Sequence, residues 1–392
     1  MAKKFNWGIL VGAAFLMASS AIGPGFLTQT ALFTAELGAG FGCVILISVV
    51  IDAISQLNIW RIITVAERPA QDIANNVLPG LGYVLSALVA LGGFAFNMGN
   101  IAGAGLGLNV LFGISVAKGA VIASILAIGV FIYKESGKAM DLFSKCMGSL
   151  KIALALVVVW LAHPPMAQAA KEAIFPEKFS FIDLLTIVGG TVGGYITFTG
   201  AHRLLDAGQG GISNLKSVTK GALGAIGLAS LMRVLFFLAA LGVIAAGGKL
   251  NPDNPAASVF ELSAGAVGYK LFGVIITAAG ISSVVGSGFT SVSFVRSFHP
   301  YIQQYNRQII IGFIIAACIV YEIIGKPVKV LVAVGAFNGL ILPISLTVML
   351  VAAYRQKIVA AYKQPLWLTL SGAAVVITMA WLSCGAIAQI FK

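Results

Sequence analysis

Two glycine-rich interruptions carry the chemistry open to this sequence. Ile22-Gly23-Pro24-Gly25-Phe26 and Val188-Gly189-Gly190-Thr191-Val192-Gly193-Gly194-Tyr195 each lie inside an apolar run. Proline removes a helix hydrogen bond and clashes with the preceding turn, and neighbouring glycines weaken the helix further. Each run is therefore expected to split into two half-helices. The N-terminus of a half-helix presents unpaired N–H groups and a positive partial charge, which suits a carboxylate. Around the breaks stand Thr28, Gln29, Thr191, Tyr195, Thr197 and Thr199. They offer hydroxyls, an amide and an aromatic ring. Gly23, Gly25, Gly193 and Gly194 have no side chains and leave room for a ligand larger than an ion. Recognition of a small solute is the chemistry on offer. Catalysis is not expected, because no G-x-S-x-G, H-E-x-x-H or Ser/His/Asp set occurs, and no cofactor is called for.

Other polar residues are sparse enough to consider singly. Asn97, Asn100 and Asn109 add neutral donors and acceptors, either to a site or to interhelical bonding. Arg233 lies deep in an apolar run. An intramembrane charge is costly and faces a cavity or a partner. Arg233 therefore reads either as an anion anchor or as one member of a structural pair. Asp52, Asp183 and Glu322 fall near the ends of apolar runs and read as capping groups, with Asp183 also a proton or pairing candidate. Glu36 could serve an outer gate. Ser282, Ser283, Ser287, Thr290 and Ser291 form a hydroxyl-rich patch. The only histidines are His163, His202 and His299, with no H-x-x-x-H and no acidic cluster. The four cysteines stand alone, without a C-x-x-C pair, and read as buried small hydrophobes.

The elements that must position these residues follow from composition. Of 392 residues, 59% are hydrophobic and 10% charged, and Gly counts 46. The mean hydropathy is +0.99. A soluble domain averages about 25% charged. The composition excludes a soluble enzyme, a nucleic-acid binder and a disordered chain. Long unbroken apolar runs also argue against a β-barrel. An all-α polytopic membrane protein remains. A bilayer core of about 30 Å needs roughly 20 apolar residues per helix. Eleven spans can be drawn, at 7–37, 40–60, 81–109, 115–133, 146–162, 182–206, 219–246, 267–295, 308–324, 328–353 and 366–390.

The net charge of +12 is a topology signal. Placing Lys3 and Lys4 in the cytoplasm puts twice as many basic residues inside as outside, with Lys134, Lys138, Lys145 and Lys151 inside and Lys392 outside. The N-terminus is then cytoplasmic, the C-terminus outside, and the chain is multi-pass in the cell (inner) membrane. Lys3, Lys4 and the small residues Ala18 to Ala21 imitate a secretory signal, which we read as a retained helix. The two breaks fall in spans 1 and 6, the first of each five-helix half. Interrupted helices at matching places in two halves point to a transporter's substrate site. An odd-numbered half must re-enter the membrane in the opposite sense, which gives inverted repeats at 1–165 and 166–353, with 354–392 as an added helix.

The chain resembles the NRAMP (natural resistance-associated macrophage protein) family over nearly its whole length. Gly23-Pro24-Gly25-Phe26 falls where the family has D-P-G-N. The stretch from Gly103 to Ile114 is similar to its A-L-A-L-N-L-L-F-G-I. Gly190-Thr191-Val192 precedes the place of its M-P-H. Ala278-Ala279-Gly280-Ile281-Ser282-Ser283 and Gly286 resemble its A-A-G-Q-S-S-T-I-T-G. The resemblance implies a LeuT-type fold, alternating access and a transported metal ion. It also implies that the family's side-chain ligands are gone, since their positions look like Gly23, Phe26 and Gly193, with Tyr195 in place of the histidine. LeuT-type carriers bind sodium between spans 1 and 8, so Ser282 and Ser283 become coupling-ion candidates beside Asp183. The chain further resembles bacterial relatives found near 5-oxoproline-metabolising enzymes, which implies 5-oxoproline as solute.

The expected activity is thus secondary transport of a small organic solute, anionic in character, coupled to H+ or Na+. The expected binding residues are Gly23, Pro24, Gly25, Phe26, Thr28, Gln29, Asn97, Thr191, Gly193, Gly194, Tyr195, Thr197 and Arg233. Besides the solute and a coupling ion, the expected partner is the lipid bilayer, not nucleic acid. Two alternatives stand beside it. One is proton-coupled divalent metal transport with ligands from unexpected places such as Met98 or Asp183. The other is a channel or non-transporting receptor.

Overall fold

The computed structural model describes residues 7–133 and 137–390, and every regular element among them is a helix. Lys3, Lys4, Lys134 and Lys392, which contribute to the orientation argument, lie outside the described residues. The first span is α1 (Trp7–Ala21) followed by α2 (Pro24–Leu37). Pro24 opens α2 from its first turn, where its missing N–H costs nothing and its fixed φ favours helix. Gly23 ahead of it is extended, with φ −87° and ψ −176°. The sequence that ends one half thus starts the other. Leu10, Ala13, Met17, Ala18 and Ala21 of α1 are buried in the main core, so this segment packs as an integral helix.

Helix α3 (Phe41–Ala66) follows through a short 3-10 turn, then α4 (Ala70–Val77), α5 (Leu81–Phe112), α6 (Val116–Tyr133) and α7 (Gly137–Ala162). α8 (Met166–Ile174) occupies what the sequence reads as a connecting segment. The sixth span is α9 (Phe181–Thr191) and α10 (Ile196–Asp206). Between them Val192 leaves helical geometry and Gly194 takes φ +56°, a left-handed conformation that glycine adopts without strain. α11 (Leu215–Ala245) and α12 (Pro255–Arg296) come next. α12 starts well before the expected 267, and Ala264 and Gly265 interrupt it, the latter at φ +61°. After α13 (Pro300–Gln304), the chain closes with α14 (Asn306–Ile324), α15 (Pro327–Ala352), α16 (Gln356–Val359) and α17 (Leu366–Ile390).

Among the described residues, eight helices are long and apolar enough to cross a membrane, or nine if the sharply bent α7–α8 pair is one span. The expected number is eleven, and the difference has a physical origin. The two halves of span 1 are 15 and 14 residues, each short of the roughly 20 a bilayer core needs. α2 also runs on with α3 into one 43-residue stretch, and the apolar part of α6 is a shorter helix. The cysteines divide as well. Cys43 and Cys318 are buried as expected, whereas Cys146 and Cys384 are exposed on the outer faces of their helices.

Packing sorts the helices into two groups. α5, α6, α12 and α14 contact one another, and each of α1, α3, α10 and α11 contacts two others of that set. Between membrane helices, small residues let backbones approach closely. α5 and α12 do this repeatedly. A Cβ added at Gly280 would sit 2.8 Å from the Asn100 carbonyl, and one at Gly93 or Gly107 would strike Ser291 or Thr277. In the other group Trp60 of α3 donates its indole N–H to the Thr197 carbonyl at 3.0 Å and lies against Gly200, where no Cβ would fit. α3 and α10 are thereby fastened together.

Candidate functional site

The two breaks meet. A small cavity of about 10 Å³ is walled by Ser20, Gly23, Gly25 and Phe26 of the first break, Phe96, Gly99 and Asn100 of α5, Gly190 of α9, and Leu331 and Val334 of α15. Nothing stands closer than 3.7 Å to a Cβ added at Gly25, and the nearest neighbour at Gly23 is Asn100 Oδ1 at 3.3 Å. A methyl at Gly25 would make ordinary contacts, whereas one at Gly23 would press on Asn100. Gly193 and Gly194 serve differently. A Cβ at Gly193 would lie 2.5 Å from the Asn338 carbonyl, and one at Gly194 would strike the Asn338 side chain. The room there is filled by α15.

Tyr195 is fully buried and packs edge-on to Phe96, centroids 5.2 Å apart. Its hydroxyl faces the side chains of Ser20, Asn100 and Ser287 without forming a regular hydrogen bond. Asn100 Nδ2, Thr28 Oγ1, Thr197 Oγ1 and Gln29 Oε1 are also buried without a hydrogen-bond partner. Gln29 is anchored by its other end, Nε2 donating to the Leu331 carbonyl at 2.8 Å, while Oε1 is aimed at Gly190. Asn97 is turned away from the cavity. Its Nδ2 donates to the Val284 carbonyl at 3.0 Å and to Ser287 at 3.1 Å, tying α5 to α12. Pro24 is held by α5, since a Cβ at Gly103 would strike its ring.

Charge reaches each break from outside it. Arg233 of α11 forms a buried ion pair with Asp52 of α3. Arg233 Nη1 also donates to Ser48 at 3.3 Å. The Asp52 carboxylate accepts from Thr191, the last residue of α9, at 3.2 Å. Arg233 therefore abuts the second break through Asp52, and the cavity walls do not include it. Asp52, read from the sequence as a capping group, is its partner.

At the first break, Lys151 of α7 is 1% exposed and donates to the Ile22 carbonyl at 2.9 Å. The last carbonyls of α1 have no partner within their helix, and a cation there also meets the negative end of the helix dipole. Lys151 counts in the sequence reading among the residues that set orientation. The structure instead buries it at the break. The signal was present, since Lys151 begins the apolar run that ends at Ala162 and an ionisable residue in a span is a functional flag.

The coupling-ion candidates separate. Ser283 is buried, has no hydrogen-bond partner and lies beside Gly23. Ser282 donates back to the Ala279 carbonyl of its own helix. Asp183 sits in the first turn of α9, capped by Ser180. It is eight residues from Thr191, on the order of 12 Å along the helix.

The donor set at the breaks consists of neutral hydroxyl, amide and backbone groups. A divalent ion needs anionic or soft ligands that converge on it. Among the described residues no group of three or more His, Cys, Asp or Glu could hold a metal. The cavity wall holds no carboxylate, thiol, thioether or imidazole.

Comparison with known proteins places this architecture. An uncharacterised membrane protein of Bacillus subtilis is 55% identical over 96% of this chain and 94% of its own length. A manganese transporter of Eremococcus coleocola, in the form of a point mutant, has the same fold, with TM-score 0.75 and 17% identity over 97% of this chain and 87% of that one. MhsT in complex with L-phenylalanine is a further fold neighbour, with TM-score 0.66 and 14% identity over 97% of both chains. The family model for natural resistance-associated macrophage protein-like proteins matches residues 14–389. This chain is a multi-pass membrane protein that belongs to the Nramp family of transporters.

Proposed function

We propose that this protein is a secondary transporter of a small organic anion, with 5-oxoproline as the specific candidate. The reading is carried by the buried, unpartnered polar atoms at the breaks, Tyr195 Oη, Asn100 Nδ2 and Gln29 Oε1. Each such atom costs about 1–3 kcal/mol when left unsatisfied. A polar ligand that returns those bonds accounts for them. The N-termini of α2 and α10 both begin at the breaks and suit a carboxylate. A lactam offers one donor and one acceptor to Tyr195, Asn100 and Gln29. The fold neighbour that holds L-phenylalanine supports a carboxylate-bearing solute in this architecture.

In this reading eleven spans form inverted repeats at 1–165 and 166–353 with 354–392 appended. The chain sits in the cell (inner) membrane with a cytoplasmic N-terminus and an outward C-terminus. Spans 1, 2, 6 and 7 rock against spans 3, 4, 8 and 9, in keeping with the two packing groups. The flexible points are Gly23 to Gly25 and Gly193 to Gly194.

Divalent metal transport is the second reading, favoured by family membership and by the manganese transporter that shares the fold. It lacks a converging ligand set, since Asp183 stands well away from the breaks. Proteoliposomes decide between the two. Saturable uptake of labelled 5-oxoproline, with no response to manganese, is expected. Manganese uptake indifferent to organic acids would overturn the proposal.

A further inference from the structure

We infer that Lys151 is the proton-coupling group of this protein, its ammonium being a built-in cation that locks α1 against α7 through the Ile22 carbonyl. The inference rests on the transporter reading above and adds the identity of the coupling ion. Three observations carry it. Lys151 is buried and bonds to a backbone atom at the hinge itself. No carboxylate lies within ion-pair distance of it among the described residues. A second oxygen at the same break, the Ser283 hydroxyl beside Gly23, is buried and unpartnered. The break thus holds two buried oxygens, the Ser283 hydroxyl and the Ile22 carbonyl, and α7 supplies a cation to the second of them.

The groups on the elements packed against α7 do not compensate this charge. α1 carries no titratable residue over Trp7–Ala21. On α11, Arg233 is engaged with Asp52, and Lys216 and Lys220 are exposed. On α12, Glu261 is exposed, Tyr269 is half-buried, Lys270 donates to the Val110 and Leu111 carbonyls, and Arg296 pairs with Asp206. On α7 itself Cys146 is exposed. Asp141 is ten residues away, roughly 15 Å along the helix.

A buried ammonium whose one acceptor among the described residues is a carbonyl can leave its site by giving up a proton. The step is Lys–NH3+ plus water to Lys–NH2 plus hydronium, with no change at carbon and no oxidant. It removes the charge from the Ile22 carbonyl and frees α1 to part from α7. Reprotonation from the opposite side resets the lock. One proton is moved per cycle, and sodium has no place to bind while the ammonium is present.

Hydrogen–deuterium exchange of the intact protein in lipid nanodiscs tests this without knowing the solute. Amide protection over residues 18–27, corrected for intrinsic exchange, is expected to fall about tenfold or more between about pH 6 and about pH 10. Added sodium should not change it. Lys151→Arg, which keeps the charge at all these pH values, should stay protected throughout. Lys151→Met should show the low protection at every pH. Wild-type protection that is flat with pH, or that rises with sodium, overturns the inference. So does a Lys151→Arg protein that follows the wild-type profile. The Arg variant keeps the test valid if the Met variant fails to fold. Failure of 5-oxoproline uptake with pH-dependent protection intact rejects the solute alone. Uptake driven by a sodium gradient without a pH gradient rejects Lys151.

Discussion

The Arg233 guanidinium and the Asp52 carboxylate form a buried ion pair that ends on Thr191, the residue at which α9 stops. The pair joins α11 to α3 and sets both against the second break. Removing one partner leaves a charge alone in the interior, at a cost of about 3–5 kcal/mol. Arg233→Gln is therefore expected to lower the unfolding temperature in detergent strongly. The double variant Arg233→Gln with Asp52→Asn should recover part of the loss. A stable Arg233→Gln protein that has lost only solute affinity would instead make Arg233 an anion anchor.

The Tyr195 hydroxyl and the Asn100 amide have no regular partner for their buried donors, so the fold gains little from them. Tyr195→Phe and Asn100→Ala are expected to leave thermal stability nearly unchanged. Each should weaken solute binding by about 1–3 kcal/mol, or roughly 5- to 150-fold. Titration with 5-oxoproline reads both effects. A large fall in melting temperature with unchanged affinity would assign these atoms to the scaffold.

Glycines at the two breaks should respond oppositely. Gly25→Ala puts its methyl in ordinary van der Waals contact, 3.7 Å from the Leu331 carbonyl, and should fold and transport. Gly25→Leu should express normally and block uptake by filling the cavity. Gly194→Ala carries a φ of +56° and a clash with Asn338, and is expected to cost about 1–3 kcal/mol. Uptake and melting temperature measured together on the three variants separate a filled site from a strained backbone.

The metal reading has its own measurement. Manganese titrated calorimetrically into the purified protein should show no micromolar binding. Micromolar binding that is lost in a Tyr195 or Asn97 variant would restore a metal site here.

The sequence announces both breaks because Pro24 and the glycines of 189–194 act on their own backbone, and local punctuation needs no neighbour. It announces Arg233 for the same reason, since a charge in an apolar run stands out alone. The partner Asp52 is 181 residues away in sequence, and only the packing of α3 on α11 brings the two together. Asn97 and Asn100 look equivalent in the chain. One turn of α5 points the first at α12 and the second at the cavity. Gly23 and Gly193 also look alike, and what separates them is α15, whose backbone covers Gly193, while Gly23 faces the Asn100 side chain. Lys151 escaped because a count of loop charges treats every lysine as solvated.

The close approach of Asn338 to Gly193 limits what this break can be made to bind. Gly193 occupies the position that resembles the family's liganding methionine. Any side chain placed there meets the Asn338 carbonyl at 2.5 Å. A liganding side chain could not be introduced at position 193 alone, because the backbone of α15 fills the space it would need. Any redesign of this break to hold a metal ion must therefore shift α15 as well as change position 193.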